Sequence, residues 1–149
     1  MEYLLHVLAE KCTGCMDCVE VCPIEDGIRV IPLPTVPAQW DIVLCRHCNP
    51  APCVEVCEFG ALSVSENGAV ILNQSLCTSC KACTAVCPFG AVFLREDGTM
   101  AKCDLCSGSP RCVEACKEDA LVYERAERKR FLMREKPSVV ELLEFKGLR

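Results

Sequence analysis

Sixteen of the 149 residues are cysteine, and they fall into four groups of four with none left over. The first is Cys12-x2-Cys15-x2-Cys18-x3-Cys22, followed by Pro23. The second is Cys45-x2-Cys48-x4-Cys53-x3-Cys57. The third, Cys77-x2-Cys80-x2-Cys83-x3-Cys87, is followed by Pro88, and the fourth is Cys103-x2-Cys106-x5-Cys112-x3-Cys116. Each opens on C-x2-C and closes on C-x3-C. Thiolates in this pattern suit an iron–sulfur cubane: a loop with sulfurs three residues apart wraps one cluster, and the fourth cysteine, on the helix that follows, points to a neighbouring one. Two alternatives use the same residue type. Structural zinc takes paired C-x2-C knuckles, but it leaves the third and fourth cysteines of each group and the following prolines unexplained. A disulfide framework needs an oxidising compartment. The C-x3-C-x2-C run expected of a radical enzyme that binds S-adenosylmethionine does not occur.

Compartment and composition favour metal. The first ten residues lack the basic start and apolar length of a secretory signal, and no stretch approaches the apolar length of a membrane span. The expected location is the cytoplasm, where thiols stay reduced, with no direct membrane insertion. Once the cysteines are set aside, the 51 % hydrophobic fraction leaves a thin core with only eight aromatic residues. Bound metal is therefore expected to share in folding. Net charge is −5, unevenly spread: residues 1–123 hold 8 Lys+Arg against 16 Asp+Glu, and residues 124–149 hold 8 against 5. No basic face accompanies the cysteines, so nucleic acid is not an expected partner. No nucleophile–base constellation, phosphate-binding glycine loop, dinucleotide fingerprint or spare metal-binding cysteine is present, so the chain is not expected to be catalytic by itself.

The elements that must position these thiols are short. A β-prone run follows each quartet: Gly27–Ile31, Ala61–Val64, Ala91–Leu94 and Ala120–Tyr123. Asn67-Gly68 is expected to join Ala61–Val64 to Ala69–Leu72, and Asp97-Gly98 to join Ala91–Leu94 to Thr99–Ala101, because both dipeptides supply the positive φ of tight hairpins. Tyr3–Leu8 reads as a strand pairing with a run after one of the quartets. Segments between cysteines, such as Met16–Val21, fit one or two helical turns. The run Ile31–Pro37 is proline-spaced and reads as an extended crossover, with Trp40 as a packing residue behind it. From Glu124 a charged helix is expected to reach Pro137. Ser138 and Glu141 make a capping box for a final helix, Val139–Lys146, that offers an apolar face for docking.

The first and third quartets, each with its proline, are the run found in bacterial ferredoxins. Residues 45–95 resemble a complete two-cluster ferredoxin, and residues 1–123 are similar to the four-cluster electron-transfer subunits of multi-subunit oxidoreductases. The matching residues include Cys45–Cys57 with Arg46, His47, Asn49 and Pro50, then Lys102-Cys103-Asp104-Leu105-Cys106 and Cys112-Val113-Glu114-Ala115-Cys116. That family serves molybdenum- or tungsten-pterin enzymes such as formate dehydrogenase or aldehyde oxidoreductase, with relatives in carbon monoxide dehydrogenase and hydrogenase complexes.

The resemblance implies an α+β fold of two ferredoxin-like modules, in which short β-hairpins and short helices surround 4Fe-4S clusters, with a C-terminal helical tail. The outer module is residues 1–31 plus 96–123, the crossover 32–44, the inner module 45–95 and the tail 124–149. Four 4Fe-4S clusters are implied, with the quartets paired in a nested way. One cluster takes Cys12, Cys15, Cys18 and Cys116, and a second takes Cys22, Cys103, Cys106 and Cys112. A third takes Cys45, Cys48, Cys53 and Cys87, and the last takes Cys57, Cys77, Cys80 and Cys83. The implied role is passage of single electrons between a catalytic subunit and an external carrier such as ferredoxin, with a free polyferredoxin as the alternative and a zinc-binding interaction module as a more remote one. Glu58 and Lys117 depart from the pattern by replacing the proline after the last cysteine; each reads as a surface residue or as a charge that tunes a cluster. His47 reads as a loop histidine or as a donor beside a cluster, and His6 carries no functional signal.

Overall fold

A computed structural model describes residues 2–127. Its described strands make four separate antiparallel pairs. β1 (Glu2–Val7) pairs with β8 (Leu121–Ala126), β2 (Ile28–Pro32) with β3 (Trp40–Leu44), β4 (Leu62–Val64) with β5 (Val70–Leu72), and β6 (Phe93–Leu94) with β7 (Met100–Ala101). Four helices of five residues lie between them: α1 (Asp17–Val21), α2 (Pro52–Val56), α3 (Ala82–Val86) and α4 (Arg111–Ala115). The packing is nested, α1 on α4 and α2 on α3. Helices this short are not stable alone; strand pairs, core and cysteine loops hold them.

The two expected tight hairpins form. Gly68 adopts φ +82° between β4 and β5, and the ends close through Ser65 N–H to Ala69 O at 2.8 Å. Asp97 caps the other turn, its carboxylate accepting from the Thr99 N–H at 2.9 Å and from the Thr99 hydroxyl. The expected pairing of the N-terminal strand also forms, Leu5 opposite Tyr123 and Val7 opposite Leu121.

Two expectations need correction. The proline-spaced segment is not an extended crossover, because Ile28–Pro32 folds back on Trp40–Leu44 as a hairpin closed by Leu33 N–H to Gln39 O at 2.9 Å. Pro34 and Pro37 fall in the turn, where missing N–H groups cost the ladder nothing, and Pro32 ends its strand. Similarly, Glu124–Ala126 is strand rather than the start of a helix. Its backbone pairs with Glu2–Leu4, and the Tyr3 and Tyr123 rings lie 5.4 Å apart beside it, so ladder pairing overrides local helix propensity. The remainder of the expected tail, including the capping box at Ser138, lies outside the described residues.

The main core gathers Leu5, Val7, Ile28, Ile42, Leu44, Leu105 and Leu121 around the thiols of Cys18, Cys45, Cys103 and Cys112. A smaller cluster of Ala51, Leu62 and Val70 packs with Cys53, Cys57 and Cys83. Sulfur is thus part of the packed interior in both.

Candidate metal centres

Each quartet opens in the same loop conformation. The second residue after the leading cysteine is left-handed in all four: Gly14 (φ +75°), His47 (+48°), Ser79 (+57°) and Leu105 (+62°). That conformation aims its backbone N–H at the leading sulfur. His47 N–H donates to Cys45 Sγ at 3.4 Å, Ser79 to Cys77 at 3.4 Å and Leu105 to Cys103 at 3.3 Å, and Gly14 does the same for Cys12. The repeat in spacing is therefore also a repeat in backbone geometry, one that offers thiolates a partial positive charge.

Twelve of the cysteines line three small cavities, four to each. One is walled by Cys12, Cys15, Cys18 and Cys116 with Val30, Ile42 and Leu121. Another has Cys45, Cys48, Cys53 and Cys87 with Val70, Phe89 and Val92. The third has Cys57, Cys77, Cys80 and Cys83 with Phe59, Leu62, Leu72 and Met100. Of the other four cysteines, Cys22, Cys106 and Cys112 are electrostatic neighbours, and Cys103 neighbours Cys112. None of the sixteen is in a disulfide.

Among the described residues, no three Cys, His, Asp or Glu side chains gather tightly enough for a single metal ion. A tetrahedral zinc would draw its sulfurs to about 3.8 Å of one another. Four soft donors spread around a cavity with apolar walls suit a group of many atoms instead. This donor set fits a 4Fe-4S cluster.

Electrostatics separate the sulfurs. Burial, with Cys12 and Cys116 adding, pushes Cys18 up to about 11. Burial and then Cys45 push Cys53 to about 11, and burial with Cys106 and Cys22 takes Cys112 to about 12. Cys103 is raised by burial as well. The protein alone therefore keeps these groups as thiols, and a bound metal centre must displace their protons. Cys45 runs the other way. Burial would raise it, but the Lys102 ammonium and then hydrogen bonding by His47 bring it down to about 6. Cys57 is lowered too, because the backbone N–H groups of Leu62, Phe59, Ala61 and Gly60 outweigh its burial.

Glu58 is exposed, and Lys117 is exposed with its ammonium 3.7 Å from Asp17. His47 is a loop histidine, and a buried one whose Nδ1 accepts the Val70 N–H at 2.9 Å. His6 is fully buried in β1. Trp40 packs its ring on Gly14. Lys102 is the residue that sequence reasoning missed. It is 4 % exposed and its Nζ donates to Cys45 Sγ at 3.2 Å. Beyond its place in the Lys-Cys-x2-Cys motif, nothing in the sequence marks it as buried.

Residues 38–126 match the family described as a 4Fe-4S dicluster domain, and residues 5–28 match a 4Fe-4S binding domain. The chain is 38 % identical over 121 residues to the polyferredoxin-like subunit of an aliphatic sulfonate oxidoreductase of Pyrococcus furiosus, covering 75 % of this chain and 70 % of that protein. It is 32 % identical over 146 residues to the electron transfer subunit of a thiosulfate reductase of Salmonella typhi, covering 83 % and 76 %. It is also 35 % identical over 125 residues to subunit beta of an NADH-dependent phenylglyoxylate dehydrogenase of Aromatoleum evansii, covering 76 % of this chain and 28 % of that longer one.

Proposed function

The chain belongs to the 4Fe-4S dicluster domain family, and on that premise we propose that it is the electron-transfer subunit of an oxidoreductase complex, holding four 4Fe-4S clusters. In this reading it stands in the cytoplasm between a molybdenum- or tungsten-pterin catalytic subunit and an external carrier such as ferredoxin. One observation carries the proposal: three cavities each draw four cysteines from two different quartets. We assign Cys12, Cys15, Cys18 and Cys116 to one cluster and Cys22, Cys103, Cys106 and Cys112 to its neighbour. Cys45, Cys48, Cys53 and Cys87 take the third, and Cys57, Cys77, Cys80 and Cys83 the fourth. The relatives named as oxidoreductase subunits support a bound partner over a free carrier.

When bound, each cluster supplies a one-electron redox couple. The chain's own residues provide everything else. Sixteen thiolates ligate, apolar side chains wall the sites, and the left-handed loop residues donate N–H groups to the leading sulfur of each quartet. Cys18 and Cys22 belong to different sites yet sit one helical turn apart, about 6 Å of rise. Shared turns of this kind hold neighbouring sites within short range of each other.

The test is anaerobic purification with iron, sulfide and zinc analysis. About 16 iron and about 16 acid-labile sulfide per chain are expected. A colourless protein with stoichiometric zinc, or one with about half that iron, overturns the four-cluster reading. Native co-purification with mass spectrometry is expected to recover a pterin-containing catalytic subunit, whereas elution of the chain alone makes it a free polyferredoxin.

A further inference from the structure

Lys102 is the buried cation whose position the ligand assignment leaves unexplained. All three of its N–H donors are used: on Cys45 Sγ at 3.2 Å, on the Cys103 carbonyl at 2.8 Å and on the Val70 carbonyl. Its backbone directly precedes Cys103 in the fourth quartet, while Cys45 opens the second, 57 residues away in sequence. One side chain therefore spans from the loop of one cluster site to a ligand sulfur of another. Arg29 and Arg95 also reach far along the sequence, but they donate to backbone oxygens, Gly90 O and Glu25 O.

A buried ammonium is tolerated only where its charge is met. Two carbonyls give Lys102 dipoles, and the Cys45 sulfur is the group that can give it a full negative charge. At 3.2 Å in a water-poor interior, that attraction favours whichever state of the ligated group carries more negative charge, which is the reduced one. We propose that Lys102 is a positioning residue that raises the reduction potential of the cluster held through Cys45. The inference rests on the reading of Cys45 as a cluster ligand.

The experiment compares native chain, Lys102→Met and Lys102→Arg, each purified anaerobically, by iron content and by redox titration followed by electron paramagnetic resonance. Lys102→Met is expected to keep its iron and to shift one couple downward, the couple that Cys48→Ser also perturbs. At the potential where that couple is half reduced in the native chain, its ratio of reduced to oxidised form falls about tenfold, equivalent to about 59 mV for one electron. Lys102→Arg keeps the charge and holds the native midpoint. Four unshifted couples in a fully loaded Lys102→Met chain overturn the proposal, as does an equal shift in the Met and Arg variants. Should Lys102→Met lose iron, Lys102→Gln keeps donors for the two carbonyls without the charge and must show the same downward shift. A native chain that lacks iron refutes the cluster reading itself, a different and separately visible failure.

Discussion

Gly14 carries two demands at once. It is the left-handed residue of the first quartet's opening loop, at φ +75°, and a Cβ there would lie 2.2 Å from Cε2 of Trp40. Gly60 shares the backbone demand, at φ +63°, with nothing within 4 Å of where its Cβ would be. The pair separates conformation from packing. Gly60→Ala should cost about 1 kcal/mol for the left-handed backbone alone. Gly14→Ala adds overpacking of about 1–3 kcal/mol against the Trp40 ring, so anaerobic thermal unfolding should show clearly the larger loss. In a Trp40→Leu background the Gly14→Ala penalty should fall toward that of Gly60, and an unchanged penalty would mean that the ring contact is not its cause. The same loop position is Ser79, His47 and Leu105 in the other quartets. Leu105 pays backbone strain there that its burial and the Asp104 carboxylate, which accepts the Cys106 N–H at 2.8 Å, must offset.

The elements repeat, one scale up, the nesting assigned to the thiols. α1 packs on α4 and α2 on α3, while the first strand pairs with the last. Under the proposed ligand assignment, Cys12→Ser with Cys116→Ser strikes one cluster twice, and Cys12→Ser with Cys22→Ser strikes two. The first double variant should lose about four iron and the second about eight; equal losses would break the nested assignment. Much of this level was legible in the sequence, because Asn67-Gly68 and Asp97-Gly98 dictate turns by local conformation and the cysteine spacing dictates the loops. The hairpin Ile28–Leu44 was not, since Pro34 and Pro37 read as extension until a partner strand, Trp40–Leu44, is seen to face Ile28–Pro32. Nor was the strand at Glu124–Ala126, whose charged residues favour helix locally and become strand only through pairing with β1. The buried places of Lys102 and His47 were equally hidden, because a charged side chain goes inside only when distant groups such as Cys45 Sγ and the Val70 backbone await it.

At the scale of the whole molecule, charge decides how a partner meets the chain. Residues 1–127 hold 9 Lys+Arg against 18 Asp+Glu, and residues 128–149 hold 7 against 3. Four thiolates around an oxidised cubane add about −2 at each proposed site, which deepens the negative potential of the body and leaves the opposite sign to the C-terminal segment. Complementary potentials govern encounter and orientation more than they govern final affinity. A chain ending at Glu127 keeps all sixteen cysteines, so it should purify with its full iron while recovering much less of the catalytic partner. Recovery with the full-length chain should fall as salt rises through a few hundred millimolar, where screening shortens to a few ångströms. Undiminished recovery by the truncated chain at every salt concentration would move the interface onto the acidic body. Loss of iron on truncation would instead give the basic segment a share in holding the clusters.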